Sequence, residues 1–215
     1  MFKRVVFFPS TVWDTRKQRY FYAVKKVVYT TVLDDDFSDC DASDWVDETG
    51  QGSVTTSSSI YHSSPCSMRI IAKPNPAPVI YHPLTKTLKD VFKAWCWCYV
   101  PTDDTCKLCL FDNNKNGYCA AGDSDYNLVY IAKRKNGSWY SLASTPQTVQ
   151  DGTWFKLYFE NINGNLKLIF TQGSTTVTLT ATDTEFNTFT RCYLRRTSDT
   201  DLYYDDIHVE GNAII

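Results

Sequence analysis

The sequence predicts an all-β protein, an antiparallel sandwich or barrel behind an extended N-terminal arm. Three observations carry this. Aromatic residues make up 15% of the chain, and Thr, Ser, Tyr and Val are plentiful, a mix that suits pleated, half-buried strands better than helices. From residue 53 onward, short β-branched and aromatic runs recur at intervals of roughly ten residues, with turn-forming residues between them. The joins contain Asn116-Gly117, Asn136-Gly137, Asp151-Gly152, Asn163-Gly164 and Gln172-Gly173. Asn-Gly and Asp-Gly are favoured in tight hairpins because both central residues must take positive φ. No long amphipathic helical stretch competes; Thr85–Phe92 has room for a short helical turn at most.

In chain order, Lys3–Phe8 and Arg19–Val32 read as extended runs joined by Pro9–Lys17. Arg19–Val32 is β-branched and aromatic throughout, so strand is expected over helix. The composition changes sharply at Leu33–Asp36, which places a boundary between an arm, 1–33, and a body, 34–215. Strands are then expected at Ser53–Ile60, Ser67–Ala72, Pro78–Tyr81 and Val91–Val100. Lys107–Phe111, Tyr126–Arg134, Ser138–Leu142 and Thr153–Glu160 follow, then Asn165–Thr171, Thr175–Thr180, Thr190–Arg196 and Asp201–Val209. Many short strands linked by hairpin turns mean a sandwich or a barrel.

Charge divides the chain in the same place. The arm carries seven Lys and Arg against Asp14 alone, so the net charge of −2 hides a basic arm and an acidic body. Residues 34–48 hold eight acids and no base. Such an arm is expected to dock on an acidic surface or to build a homo-oligomer or larger assembly. Nucleic acid is not the expected partner, because the whole-chain field is not basic. No run approaches a transmembrane span. Pro9-Ser10 interrupts the apolar Val5–Phe8 segment too early for a secretory signal. The eight cysteines leave free thiols, disulfides and a zinc site all open; Cys106-Lys107-Leu108-Cys109 has the spacing of half a zinc site.

Three stretches together resemble the concanavalin-A/laminin-G-like jelly-roll domains of the carbohydrate-binding-module type. Asp35-Asp36-Phe37, Trp45 and Ser67-Met68-Arg69-Ile70 match their opening strands. Gly152-Thr153-Trp154-Phe155-Lys156-Leu157 and Asn163-Gly164-Asn165-Leu166-Lys167-Leu168 match a central hairpin, and Leu202–Val209 the closing strand. The resemblance implies a two-sheet antiparallel jelly-roll sandwich with its first and last strands side by side. It also implies a structural Ca²⁺ on Asp35, Asp36, Asp205 and Asp206, a hard cation suited to clustered carboxylates. Ser38 stands where many relatives carry a ligating Glu.

Catalysis is not expected. The chain has four glutamates, Glu48, Glu160, Glu185 and Glu210, too scattered for the paired carboxylates of glycanases. No nucleophile elbow or phosphate-binding glycine loop is present. Binding is better supported. Trp95, Trp97 and Tyr99 alternate with Ala94, Cys96 and Cys98, so one strand face is aromatic, an arrangement that fits the sandwich core first and a sugar platform second. Loop aromatics are the better ligand candidates: Tyr118, Tyr126, Trp139 and Tyr140, with Asp123 and Asp125 to fix hydroxyls. The expected function is a non-catalytic glycan-binding or adhesion module on a larger assembly, such as a virion or fibre. The alternative is a structural component assembled through the arm.

Overall fold

Alternating apolar and polar side chains hold most of this chain extended, because each strand can then bury one face and hydrate the other. The computed structural model describes residues 9–14, 19–24, 28–50, 53–63, 65–71, 78–195 and 200–214. Its strands are β1 (Pro9–Asp14), β2 (Arg19–Val24), β3 (Tyr29–Asp35), β4 (Val46–Asp47), β5 (Val54–Ser57), β6 (Ser67–Ile70), β7 (Val79–Tyr99) and β8 (Thr105–Phe111). They continue as β9 (Gly117–Asp123), β10 (Leu128–Lys135), β11 (Ser138–Pro146), β12 (Phe155–Ile162), β13 (Asn165–Gln172), β14 (Thr175–Thr182), β15 (Thr188–Arg195) and β16 (Leu202–Ala213). No helix occurs among the described residues, and so none is long and apolar enough to cross a membrane.

The hydrogen-bonded order β11-β10-β9-β8-β15-β7-β12-β13-β14 runs through both layers of a sandwich, and β7 is the hinge between them. Up to Lys89, β7 pairs with β15; from Val91 it pairs with β12. The change of partner falls at Asp90, whose φ of 62° turns the strand. Asp tolerates this left-handed region better than a β-branched residue would. Its N–H donates to Asn187 O at 2.8 Å and its carbonyl accepts from Asn163 N at 2.9 Å, tying the corner to both layers. The front layer is β11-β10-β9-β8-β15 and the first half of β7, with β4 at its edge. The back layer is β14-β13-β12, the second half of β7 and β16, continued by β3 and by β6-β5.

Between the layers lies one apolar core. Phe92, just past the corner, packs edge-on against Phe159 of the back layer and Phe189 of the front. Phe155 and Phe170 fill the space over Gly122, where an added Cβ would sit 2.8 Å from the Phe155 ring. Two hairpins use the turns that the dipeptides predict. Asn136-Gly137 and Asn163-Gly164 both have positive φ at each residue, joining β10 to β11 and β12 to β13. Asp151-Gly152 instead lies in the approach to β12, where Gly152 N–H donates to Val100 O.

Several expectations need correction. Thr85–Phe92 is strand, and Pro78–Tyr81 and Val91–Val100 belong to the single strand β7, because Leu84, Leu88 and Phe92 keep feeding the core. Pro9–Lys17 contains β1, which pairs with β2 in a separate two-stranded sheet. Arg19–Val32 is divided between β2 and β3. The boundary between 33 and 34 falls inside β3, which pairs with β16 and buries Val32 and Leu33 in the core. Lys3–Phe8 lies outside the described residues. Trp95, Trp97 and Tyr99 point away from the core, which takes Ala94, Cys96 and Cys98 instead.

The cysteines form disulfides Cys40–Cys66 and Cys109–Cys119, with Cys96, Cys98, Cys106 and Cys192 free and buried. Burial pushes the Cys98 and Cys192 thiols up, so they pack as neutral groups. Cys106 and Cys109 sit three apart on one strand and face opposite sides, which removes the half zinc site.

Candidate functional site

In-register antiparallel partners share a face, so the front layer's outer surface can be read as rows. One row runs Arg195, Lys107, Ala121, Tyr130, Ser144 across β15, β8, β9, β10 and β11. The next runs Tyr193, Cys109, Cys119, Ala132, Ser141, with the Cys109–Cys119 disulfide bridging its middle. The third runs Arg191, Phe111, Gly117, Arg134, Trp139. The residues between them (Leu108, Leu110, Ala120, Val129 and Ile131) are core, so these rows face outward.

This outer face carries two depressions. The outward residues of β10 and β11 include the small Ala132, Ser141 and Ser144 beside the large Tyr130 and Trp139. A cavity of about 310 Å³ lies here, lined by Lys107, Leu128, Tyr130, Ala132, Trp139, Tyr140, Ser141 and Ser144. A separate, smaller one of about 100 Å³ lies over Glu48, Phe111, Lys115, Arg134, Tyr193 and Arg195. Trp139 is 36% exposed and packs near Phe111, with ring centroids 6.1 Å apart.

Cations gather at this face. Lys107 is only 8% exposed. Burial, then the neighbouring Arg195 charge, brings its ammonium pKa down to about 8, although Asp123 and Asp104 act the other way. The ammonium lies 5.4 Å from the Trp139 ring centroid and the Arg195 guanidinium 5.6 Å from it. Burial, then Arg134, lowers the Arg195 pKa as well. The Nε atoms of Arg134 and Arg195 are buried with no hydrogen-bond partner among the described residues. Glu48 is engaged by Lys115 at 2.7 Å, the Tyr193 hydroxyl at 2.8 Å and Arg191 at 3.8 Å.

The ligand candidates read from the sequence meet different fates. Trp139 and Tyr140 line the cavity. Tyr126, 72% exposed, and Asp125 stand on the β9–β10 turn outside it. Asp123 is buried in register with Thr105 and Leu128, and its Oδ1 accepts the Tyr126 N–H. Tyr118 is a correction: it is fully buried in the core, and its hydroxyl donates to Asp183 and accepts the Phe186 N–H. Lys107, Tyr130, Arg134 and Arg195 were missed. The period-two spacing of Tyr130, Ala132 and Arg134, and of Arg191, Tyr193 and Arg195, was the available signal.

The outward rings of β7 do not make a comparable platform. Trp95 is stacked on His208 with centroids 4.0 Å apart, and Trp97 on His62 at 3.7 Å, so a face of each is already covered. The acids of the calcium expectation do not form a common cage either. Strands β3 and β16 lie side by side, with Asp35 opposite Ile207. Asp35, however, accepts the Trp45 indole N–H and the Phe37 N–H, and Asp36 the Ser38 N–H. Asp205 accepts the His62 and Ser63 N–H groups, and Asp206 the Ser63 hydroxyl. Burial is the leading cause that raises both Asp35 and Asp205. Among the described residues no three His, Cys, Asp or Glu side chains are placed to hold a metal ion. The four carboxylates therefore do not fit a shared Ca²⁺.

No family model and no curated protein matches the chain. Solved structures do match in fold. The carbohydrate-binding module CBM66 from Bacillus subtilis superposes with a TM-score of 0.57 at 16% identity, over 78% of this chain and 95% of that one. Domain 4 of an extracellular arabinanase from Geobacillus stearothermophilus, in complex with arabinotriose, gives 0.59 at 13% identity, over 87% and 95%. The lectin UEA-II, complexed with galactose, gives 0.57 at 9% identity, over 84% and 98%. The chain has the lectin-like jelly-roll sandwich fold of these proteins.

Proposed function

We propose that this protein is a non-catalytic glycan-binding module that takes sugar on the outer face of its front layer. The observation that carries the reading is the cavity framed by Trp139, Tyr140 and Tyr130, with the hydroxyls of Ser141 and Ser144 and the Lys107 ammonium at its wall. Apolar sugar faces stack on aromatic rings, and convergent polar groups orient the hydroxyls. The fold neighbours that bear arabinotriose and galactose support the same reading by analogy of fold alone. The two disulfides fit a setting outside a reducing cytosol, such as a virion or extracellular assembly.

The second role is assembly through the arm. Strands β1 and β2 form their own two-stranded sheet, and such a hairpin is marginal in water unless something packs on it. A neighbouring copy or a larger scaffold would supply that packing, and repetition would raise the avidity of weak single sites.

Screening the full chain on a glycan array, displayed multivalently, tests the reading. Trp139→Ala should weaken binding at least several-fold, since a stacked ring is worth on the order of 1 kcal/mol beyond its area. The melting temperature should barely move, because the ring is partly exposed on an edge strand. A wild-type protein that binds no glycan in multivalent form would leave the assembly role alone standing.

A further inference from the structure

Three cations of the front face, Lys107, Arg134 and Arg195, form no ion pair among the described residues. Among the described residues Lys107 forms no ion pair, although it is more than nine-tenths buried and lines the cavity. Arg195 stands in register with it on the adjacent strand, and Arg134 lies close enough to repel Arg195. Both guanidinium groups leave a buried Nε–H unused. Three acids are nearby. Glu48 is already held by Lys115, Tyr193 and Arg191. Asp123 accepts the Tyr126 N–H, and Asp104 accepts the Thr105 N–H. Unpaired buried cations cost stability. Lys107 and Arg195 both stand near the Trp139 ring, so a ligand that stacks there and brings negative charge offsets that cost when it binds.

We propose that the ligand is an acidic glycan, whose carboxylate or sulfate is held by Lys107 and Arg195 while its sugar ring stacks on Trp139. This rests on the glycan-binding reading above and names its substrate class. The two cationic groups lie 5.4 and 5.6 Å from the Trp139 ring centroid, so one residue of a charged sugar can reach ring and cations together. Hydrogen bonds between ionised partners are about twice as strong as neutral ones.

The test uses two matched pairs of probes on the full chain: oligogalacturonate against its methyl ester, and dextran sulfate against dextran. Calorimetric titration should show at least one charged member binding about tenfold or more tightly than its neutral partner, equivalent to about 1.4 kcal/mol. Which pair responds tells carboxylate from sulfate. Lys107→Met and Arg195→Gln should each abolish that preference without lowering the melting temperature, which separates loss of the site from loss of the fold. Inorganic polyphosphate is the control: if it binds as tightly as the charged glycans, and Trp139→Ala changes nothing, the face is a plain polyanion surface and the proposal fails. Equal binding of charged and neutral members, unaffected by Lys107→Met, overturns the acidic-glycan inference and leaves the glycan-binding reading intact. If no member of either pair binds, this inference is overturned, and the glycan array decides the broader reading separately.

Discussion

Lys107 shows how one side chain can work against the fold and for the site. Its folded pKa of about 8 lies below the 10.5 of a free lysine, chiefly because burial disfavours the charge. Between those values the unfolded chain holds the proton more tightly than the folded chain does. Stability should therefore rise with pH across that window, and the full cost of the buried charge is present below about pH 8. Lys107→Met should remove the cost and stabilise the protein at neutral pH by up to roughly 3 kcal/mol. The pH-dependent rise in melting temperature above pH 8 should flatten in the same variant. Urea unfolding at neutral and alkaline pH checks both; a variant less stable than wild type at pH 7 would mean that the ammonium has an anionic partner after all. The residue was legible in the sequence only as part of a strand. Nothing local says that the lysine two positions before Cys109 faces an aromatic cavity, because its neighbours there come from β10, β11 and β15.

At the scale of the element, β7 decides the architecture. A strand of 21 residues would run to about 70 Å if straight, so it must bend to serve a compact sandwich. The bend is placed at Asp90 by its left-handed φ and by hydrogen bonds to loops of both layers. Asp90→Gly should be tolerated to within about 1 kcal/mol, since glycine takes positive φ freely. Asp90→Val should destabilise by about 1–3 kcal/mol, because a β-branched residue is strained there. Equal stability of the two variants by denaturant unfolding would show that the corner is set by its surroundings alone. The sequence marks both halves of β7 as strand but hides the continuity. Leu84–Lys89 is a largely polar stretch whose apolar members, Leu84 and Leu88, are four apart, a spacing that suits one face of a helix. Only pairing with β15 on one side of the corner and β12 on the other resolves it.

For the whole molecule the question is where the folding unit begins. Strand β3 supplies Val32 and Leu33 to the core and covers one edge of β16, so the sandwich starts before residue 33. Deleting residues 1–27 should leave a cooperatively melting domain, whereas deleting 1–35 should remove two buried aliphatic side chains and bare the β16 edge. Losses of about 1.5–3 kcal/mol for each buried side chain make the second truncation strongly destabilised. Calorimetry of both truncations measures this, and light scattering of the full chain against the shorter deletion measures whether residues 1–27 drive association. A shorter deletion that fails to fold would place the β1–β2 hairpin inside the cooperative unit. The charge break at residues 33–36 marked the right neighbourhood, but charge changes where solvent exposure changes, and β3 runs through that point without interruption.

The sequence by itself determined the all-β class, most strand positions and two of the three Asn-Gly turns, since Asn116-Gly117 instead ends a longer loop into β9. Period-two alternation and tolerance of positive φ are properties of a few consecutive residues, and they act the same way in any surroundings. It also brought Trp139 and Tyr140 forward as ligand candidates, since large aromatics beside a hairpin have little local work to do. Tertiary structure alone decided which face of each strand became core. Alternation is symmetric, so Tyr118 could be inside and Trp95 outside without any change in pattern. It alone set the register that brings Arg195 beside Lys107, residues far apart in the chain whose meeting depends on β15 pairing with β8. The candidate site is made of such non-local pairings. Its strands were visible in the sequence, and its chemistry appeared only when they were laid side by side.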